Sequence, residues 1–444
     1  MSTLVRSSAL SESKDSSWPP RVLLPVGILG GTGLVGRMLA RSLCDHPFLC
    51  CGPIVGSKRS AGQMFEEVWK EKEDALEQHY GKELWQGDRN FPSSLRGAKV
   101  VDVDELITLG CRLVISAIAP RLGFLEDKLK HAGITVISIS PYKRQEGALC
   151  VLEANHAELS TKLQDALQKH YVNGGLSLLE EKGTSHTFSS SSSSGSPESS
   201  VTPVPSMLPL VKSPNCVCCG TSTVLSGLAS IFGTIEQVSV TTFQSLSGRG
   251  DSKYPSELVV GNVYPLRSTS EPTEALICEE LVHVLGNHLK KGRESVSVGA
   301  YRVSVQRGHL IDVRLKFEDD SPFKGATTEE EKIQFIESIY KRLENWSPIL
   351  NDIGETQFKE HLPSVPKTPI QCCRDAGAPR PKSHHLNSVN GNGNGYHVTV
   401  GNVGINDGPY DLVLTLVVDN LVKGALGAAL QLLEYTLMVT KARK

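Results

Sequence analysis

VLLPVGILGGTGLVG, residues 22–36, passes from a short apolar run rich in Val, Leu and Ile into a cluster of glycines and then into an amphipathic segment reaching about Leu43. An apolar run closed by turn residues reads as a buried strand, and apolar positions recurring every three and four residues beyond it read as a helix. Glycines at 27, 30, 33 and 36 let the backbone turn tightly where the amides and positive end of a helix can hold a pyrophosphate. Taken alone, such a turn fits a plain β–α connection equally well.

About twenty residues after the turn, where NAD-binding chains usually carry an acidic residue for the ribose, this chain has GSKRSAG, residues 56–62. Lys58 and Arg59 there can pair with a 2′-phosphate, which favours NADP over NAD; a solvated basic loop is the plainer alternative. Further β-like runs, CRLVISAIA (111–119) and ITVISI (134–139), flank the helical LGFLEDKLKHAG. Alternating strands and helices predict a parallel sheet covered by helices.

Composition changes abruptly near Gly174. GTSHTFSSSSSSGSPESSVTPVPS, residues 183–206, has almost no large apolar side chain and is expected to be a disordered insertion, within bounds of 174–207. Beyond it, EQVSVTTFQSLSG, SVSVGAYRVSVQRGHLIDVRLKFE and YHVTVGNVGINDGPYDLVLTLVV alternate apolar and polar residues between glycine-containing turns. That is the pattern of a half-buried antiparallel sheet, so a second, α+β domain is expected over 210–410. The strongly apolar LVKGALGAALQLLEYTLMV, from Leu421 to about Thr440, predicts a helix buried on most of its surface.

The 444 residues, 39% apolar, 21% charged and of formal charge −2, suit a two-domain globular protein and offer no generic attraction for nucleic acid or anionic membrane. No apolar run reaches the length of a membrane span. Residues 1–20 lack the apolar core of a secretory signal and include Glu12 and Asp15, so a mobile tail and a cytoplasmic location are expected. Eleven cysteines, several of them adjacent in pairs, do not form a spaced disulfide framework. Zinc would need a second ligand pair; CVCC has none, and His384-His385 lies in a Gly/Asn-rich stretch with no ligand spacing, so no metal is expected.

KSPNCVCCGTS, residues 212–222, places three cysteines before a helix-like segment. Cys216, at the helix start, gains most from the dipole and free amides, whereas Cys218 and Cys219 fall inside the helix; each is also readable as a small buried hydrophobe. His309 follows a glycine turn in YRVSVQRGHLIDV, and Arg302, Ser304 and Gln306 share one strand face.

In order and spacing these pieces resemble the aspartate-semialdehyde dehydrogenase family, in its archaeal and fungal branch, from about Val22 to Lys444. GGTGLVG (30–36) is similar to the family's cofactor turn, SKRSAG (57–62) to its phosphate loop, SPNC (213–216) to its nucleophile motif, and DNLVKGALGAALQ (419–431) to its closing helix. The resemblance implies an NADP-binding domain of Rossmann type over 21–155, a catalytic and dimerisation domain over 210–410, a C-terminal helix (415–444) packing back on the first domain, and a homodimer or homotetramer. It also implies Cys216 as nucleophile, His309 as acid and base, and Gln244 as an orienting group. Substrate contacts fall on Arg302, Arg144, Glu274 and Asn215, and cofactor contacts on Gly30, Thr32, Gly33, Leu34, Val35, Ser57, Arg59, Ser60, Ser116 and Asn420. In SEPTEALICEELVHVLG (270–286) the family's phosphate-binding lysine falls on Leu276. The reaction implied is the NADPH-dependent reduction of aspartyl 4-phosphate to the semialdehyde through a cysteine thioester, with relatives acting on N-acetylglutamyl phosphate or malonyl-CoA, and a silent homologue, as alternatives.

Overall fold

The computed structural model describes residues 23–81, 90–172, 208–248, 259–267, 272–384 and 394–441. The tail at 1–20 and the serine-rich stretch lie outside them. Two seven-stranded sheets organise the chain. The first comprises β1 (Leu24–Leu29), β2 (Leu49–Val55), β3 (Val100–Val101), β4 (Leu113–Ser116), β5 (Thr135–Ser138), β6 (Ala148–Leu149) and β7 (Val211–Lys212). Its order is β3-β2-β1-β4-β5-β7-β6, and every pair is parallel. An order that reverses beside β1 is that of doubly wound nucleotide-binding sheets, with the ligand crevice at the strands' carboxyl ends.

Among the principal helices, α1 (Leu34–Cys44), α2 (Phe65–Tyr80), α3 (Phe124–His131) and α4 (Leu152–Val172) accompany this sheet. Strand β1 is buried at both Ile28 and Leu29, which point to opposite faces and join different cores, because both sheet faces are covered. The second sheet holds β8 (Ile235–Gln244), β9 (Val263–Pro265), β10 (Val296–Val303), β11 (His309–Phe317), β12 (Ile370–Cys373), β13 (Val398–Asp407) and β14 (Tyr410–Val418), in the order β12-β13-β14-β11-β8-β10-β9. It is mainly antiparallel, with β8–β10 and β12–β13 parallel. The alternation over 295–318 predicts antiparallel strands, but β10 and β11 do not pair with each other; they flank β8 on opposite sides, β10 parallel to it. Residues 304–308 cross the end of β8, and this crossing brings Arg302 and His309 to the same edge of the sheet.

Helices α5 (Cys216–Phe232), α6 (Thr273–Leu285) and α7 (Glu329–Glu344) accompany the second sheet. The chain leaves the first sheet at Lys212 and enters α5 at Cys216, so the start of α5 stands at the junction of the two units. The last helix begins as a π-helical turn, Val422–Leu426, and continues as α8 (Gly427–Lys441). Its Ala429, Leu430 and Leu433 share one core with Val26, Ile28 and Leu39 of the first sheet and α1. Burial around nearly its whole circumference explains why its apolar residues lack a single stripe.

Candidate active site

Asn215 starts α5 as a capping residue: its side-chain oxygen accepts the amide of Val217 at 2.9 Å. The cap fixes Cys216 as the first helical residue, half-buried, with Sγ 3.0 Å from Nε2 of His309. Cys218 and Cys219 turn into the core, where burial raises both thiols, Cys219 to about 12. A thiol held that high is inert as a nucleophile near neutral pH. Gly424 lies opposite: a Cβ built there would stand 2.3 Å from that of Cys216, so the π-helical turn can approach this cysteine only without a side chain.

His309 is fully buried, and burial followed by the nearby Arg302 guanidinium pulls its imidazole down to about 3. The resting ring is therefore neutral. Ser245, which follows β8, presents two groups to Nδ1: its amide donates at 3.0 Å and its hydroxyl lies at 3.1 Å. That hydroxyl gives its own proton to Oδ1 of Asn420 at 3.0 Å, leaving a lone pair toward the ring. Asn420 Oδ1 also accepts the amide of Gly308 at 2.9 Å, and its Nδ2 donates to Ser247. When the Ser245 amide holds Nδ1, the ring proton sits on Nε2 and points at Sγ. When Nδ1 donates to the hydroxyl, Nε2 is bare and can take the thiol proton.

The remaining residues singled out from the sequence fall into three groups. Arg302 is buried beside His309 and donates Nη1 to the carbonyl of Ser245 at 2.6 Å. Gln244, also buried, donates to Thr242 at 3.1 Å; the polar contact with His309 is made by its neighbour Ser245. Arg144 gives Nη1 to Glu280 and Nη2 to the carbonyl of Ile139, both at 2.7 Å. Glu280 in turn accepts the amide of Asn215, which locks α6 to the loop before Cys216. Glu274 faces elsewhere, pairing with Arg267 at 2.8 Å and accepting the amide of Ala300 at 3.1 Å. Leu276 is 39% exposed, so its side chain does not fill the site within this chain.

Residue types alone did not disclose Ser245 or Glu280. Serines are ordinary at strand ends, and Glu280 is one of three glutamates on α6. A buried acid on a helix facing the nucleophile's loop was the available signal, and it appears only once α6 is docked.

The nucleotide side is built at the end of β1. Gly30 has φ +85°, and a Cβ there would lie 2.7 Å from the carbonyl of Ala117; at Gly36 it would lie 2.3 Å from that of Gly30. Such a bare turn at the start of α1, with exposed Gly33 and half-buried Thr32, Leu34 and Val35, leaves room for a pyrophosphate. The loop after β2 exposes Ser57, Lys58 and Arg59 and folds on itself through Ser60, whose amide and hydroxyl both reach the carbonyl of Ser57. These residues fit a dinucleotide with a 2′-phosphate. Ser116 and Asn420 have their side chains engaged in the protein: the Ser116 hydroxyl donates to Glu126 at 2.6 Å, and Asn420 serves the Ser245 network. A cavity of ≈ 320 Å³ lies between α1 and the loops after β8 and β10, lined in part by Leu34, Arg37, Ser247, Arg307 and Leu421.

Residues 25–162 match the family described as semialdehyde dehydrogenase, NAD binding domain. The match falls on the doubly wound sheet, beside which the Cys–His pair stands. Over most of its length the chain is similar to aspartate-semialdehyde dehydrogenases. The enzyme of Schizosaccharomyces pombe is 24% identical over 413 residues, covering 91% of this chain and 95% of the relative. That of Methanothermobacter thermautotrophicus is 23% identical over 415 residues, covering 92% and 97%. The fold is shared with the Candida albicans aspartate semialdehyde dehydrogenase solved with NADP, at TM-score 0.68 and 20% identity over 94% of this chain and 99% of that one.

Proposed function

We propose that this chain is an NADP-dependent aspartate-semialdehyde dehydrogenase, interconverting L-aspartyl 4-phosphate and L-aspartate 4-semialdehyde, in the biosynthesis of lysine, threonine and methionine. The observation that carries the reading is the Cys216 Sγ–His309 Nε2 contact of 3.0 Å at the capped start of α5. A thiol beside a base, within this fold, is the arrangement for acyl transfer through sulfur.

In the reductive direction, bare Nε2 accepts the thiol proton while Nδ1 donates to Ser245 Oγ. The thiolate attacks the acyl carbon, the C–O bond to phosphate breaks, and phosphate leaves with its electron pair, giving a Cys216 thioester. Held by the Gly30–Gly36 turn and the Ser57–Ser60 loop, NADPH would supply the hydride that reduces the thioester to a thiohemiacetal. The imidazolium Nε2–H protonates its oxygen; collapse then returns that proton to the ring, breaks the C–S bond and releases the aldehyde and Cys216 thiolate. His309 starts with its pKa pulled down partly by Arg302. A substrate carboxylate on the guanidinium offsets that effect, so substrate binding readies the base.

The bare turn from Gly30 to Gly36 and the Ser57–Ser60 loop would hold the dinucleotide, with Arg59 on the 2′-phosphate. Arg59→Ala should therefore weaken NADP by roughly 1.5–3 kcal/mol, the worth of a charge-assisted contact, and NAD much less. Equal weakening of both removes this assignment. Exposed Leu276 and the exposed edge residues Val263 and Tyr264 support a self-associating surface, consistent with a homodimer or a pair of dimers. The enzyme is taken to act in the cytoplasm; among the described residues no helix is long and apolar enough to cross a membrane.

The deciding experiment follows NADPH formation with aspartate semialdehyde and phosphate. N-acetylglutamate semialdehyde with phosphate, and malonate semialdehyde with coenzyme A, serve as competitors. Higher kcat/KM with either competitor would replace the aspartate reading by that of another acyl reductase, an outcome the absent lysine at position 276 makes worth measuring.

A further inference from the structure

Away from the Cys216 site, Cys373, Asp375 and His384 bring one sulfur, one carboxylate oxygen and one imidazole nitrogen within 4.8 Å of one another. The sequence spacing gave no sign of this, because Cys373 ends β12 while His384 closes a short helical turn, Pro381–His384, that follows a loop over 374–380. We propose that these three residues form a binding site for a zinc-class divalent cation, with water as its fourth ligand.

Geometry carries the proposal. Sγ of Cys373 lies 3.7 Å from Nε2 of His384 and 3.8 Å from Oδ2 of Asp375. Zinc bonds of about 2.3 Å to sulfur and about 2.1 Å to nitrogen or oxygen at tetrahedral angles give edges of about 3.6 Å. The two observed separations exceed that by only a tenth or two of an ångström. A thiolate and a carboxylate neutralise a divalent charge, and the sulfur and imidazole favour zinc over calcium or magnesium.

The frame is held on both sides. Arg374, next to Cys373, forks to Glu337 and Glu344 of α7 at 2.8–3.0 Å. The carbonyl of His384 accepts the hydroxyl of Thr399 on β13. Nδ1 of His384 accepts the amide of Arg380 at 3.0 Å and also lies 3.1 Å from the carbonyl of the same residue. Metal at Nε2 would require the proton on Nδ1, exchanging the contact with the amide for a donation to that carbonyl, an outer contact of the kind that orients metal-bound imidazoles. Cys373 is buried, His384 half-buried and Asp375 exposed, so the entry path runs past the carboxylate. Cys372 points to the other face, where burial raises its thiol and Sγ lies against the carbonyl of Tyr340. Metal would tie residues 374–384 onto the edge strand of the second sheet.

The full-length protein, stripped with a chelator, is titrated with Co²⁺ and then Zn²⁺. The expected result is one Co²⁺ per chain with tetrahedral ligand-field bands and a sulfur-to-metal charge-transfer band, both displaced by Zn²⁺. Cys373→Ser should abolish the charge-transfer band and lower affinity at least about 100-fold, and Asp375→Asn about 10-fold or more. Cys216→Ser should leave both spectrum and affinity unchanged, which separates this site from the catalytic pair. If Cys373→Ser fails to fold, the exposed Asp375→Asn variant and amide exchange over 374–384 give the answer, since Zn²⁺ should slow that exchange. Absence of uptake, or a charge-transfer band that persists in Cys373→Ser and vanishes in Cys216→Ser, overturns the site.

Discussion

Sγ of Cys216 differs from those of Cys218 and Cys219 in surroundings, not in chemistry. It alone of the three is half-buried against an imidazole, while the other two are sealed in the core of α5 with their thiols raised. Cys216→Ser should lower turnover about 10³-fold or more, at least roughly 4 kcal/mol of transition-state stabilisation, because a hydroxyl is hardly ionised near neutral pH. Serine at 218 or 219 should change activity only through packing. Steady-state rates and the order of iodoacetamide labelling check both statements. Ser245 acts through His309, and its hydroxyl favours the ring form with a bare Nε2. Ser245→Ala should lower kcat about tenfold with KM little changed and shift the acid limb of the pH profile; Ser245→Thr, which keeps a hydroxyl, should recover most of the rate. An unaltered pH profile would reduce Ser245 to a packing residue. The capped helix start at Cys216 was legible because Pro214, Asn215 and Cys216 are local in sequence and caps have local rules. Ser245, Glu280 and Asn420 act across 64 or more residues, and nothing in their own neighbourhoods announces the partner.

Elements show the same division between local and distant determinants. Strand β1, the glycine turn and α1 were readable as one unit, since apolar run, turn and amphipathic period adjoin one another. The pairing of β10 with β8 rather than β11 was not, because alternation sets which face a residue takes but not which strand lies beside it. A second case is the start of the last helix, whose apolar sequence promised a uniform helix and whose first turn is π-helical. That turn lets Gly424 press against Cys216. Gly424→Ala places a methyl 2.3 Å from the nucleophile's Cβ, a backbone-anchored contact that cannot be relieved by a rotamer change. Overpacking of this kind costs about 1–3 kcal/mol. The variant should show a lower Tm, and a kcat reduced beyond what the stability loss explains, because the displaced atom is the Cβ that carries Sγ. Thermal melts beside turnover at a temperature where the variant is fully folded separate the two effects; normal turnover would mean that the π-turn yields and Cys216 does not move.

At the scale of the molecule, the two units are joined by buried polar groups as well as by the common core around α8. Lys423, on the π-turn that follows β14, pairs with Glu153 of α4 at 2.5 Å and so bridges the two; Lys212 on β7 pairs with Glu126 of α3 at 2.5 Å within the first, all four nearly inaccessible to water. A buried imidazole, His309, and a half-buried one, His397, lie near this junction and should make its stability sensitive to acid. His309 is pulled down to about 3 by burial and then by Arg302, and His397 to about 4 by burial and then by Lys423. In the unfolded chain each would titrate near 6.5. Both native values are depressed, so the unfolded state binds the protons first as pH falls. The stabilisation is complete above about pH 6.5 and is lost on acidification through the native values. Between about pH 6 and 4.5 each ring contributes a slope of up to about 1.4 kcal/mol per pH unit. His288 and His361, also lowered by burial, add to it in the same sense. Glu434 acts the other way: burial raises its carboxyl despite the His46 contact, so its contribution diminishes as pH rises. Carboxylates with depressed values, such as Asp127 and Glu158, enter only at lower pH. Denaturant unfolding measured from pH 7.5 to 4.5 should therefore show stability falling steadily below about pH 6.5, before carboxylate protonation dominates. His397→Gln should flatten that fall by about one proton's worth while leaving Cys216 and His309 in place. An unchanged slope in the variant would mean that His397 is already protonated in the folded protein and that the charge of Lys423 is fully taken up by Glu153.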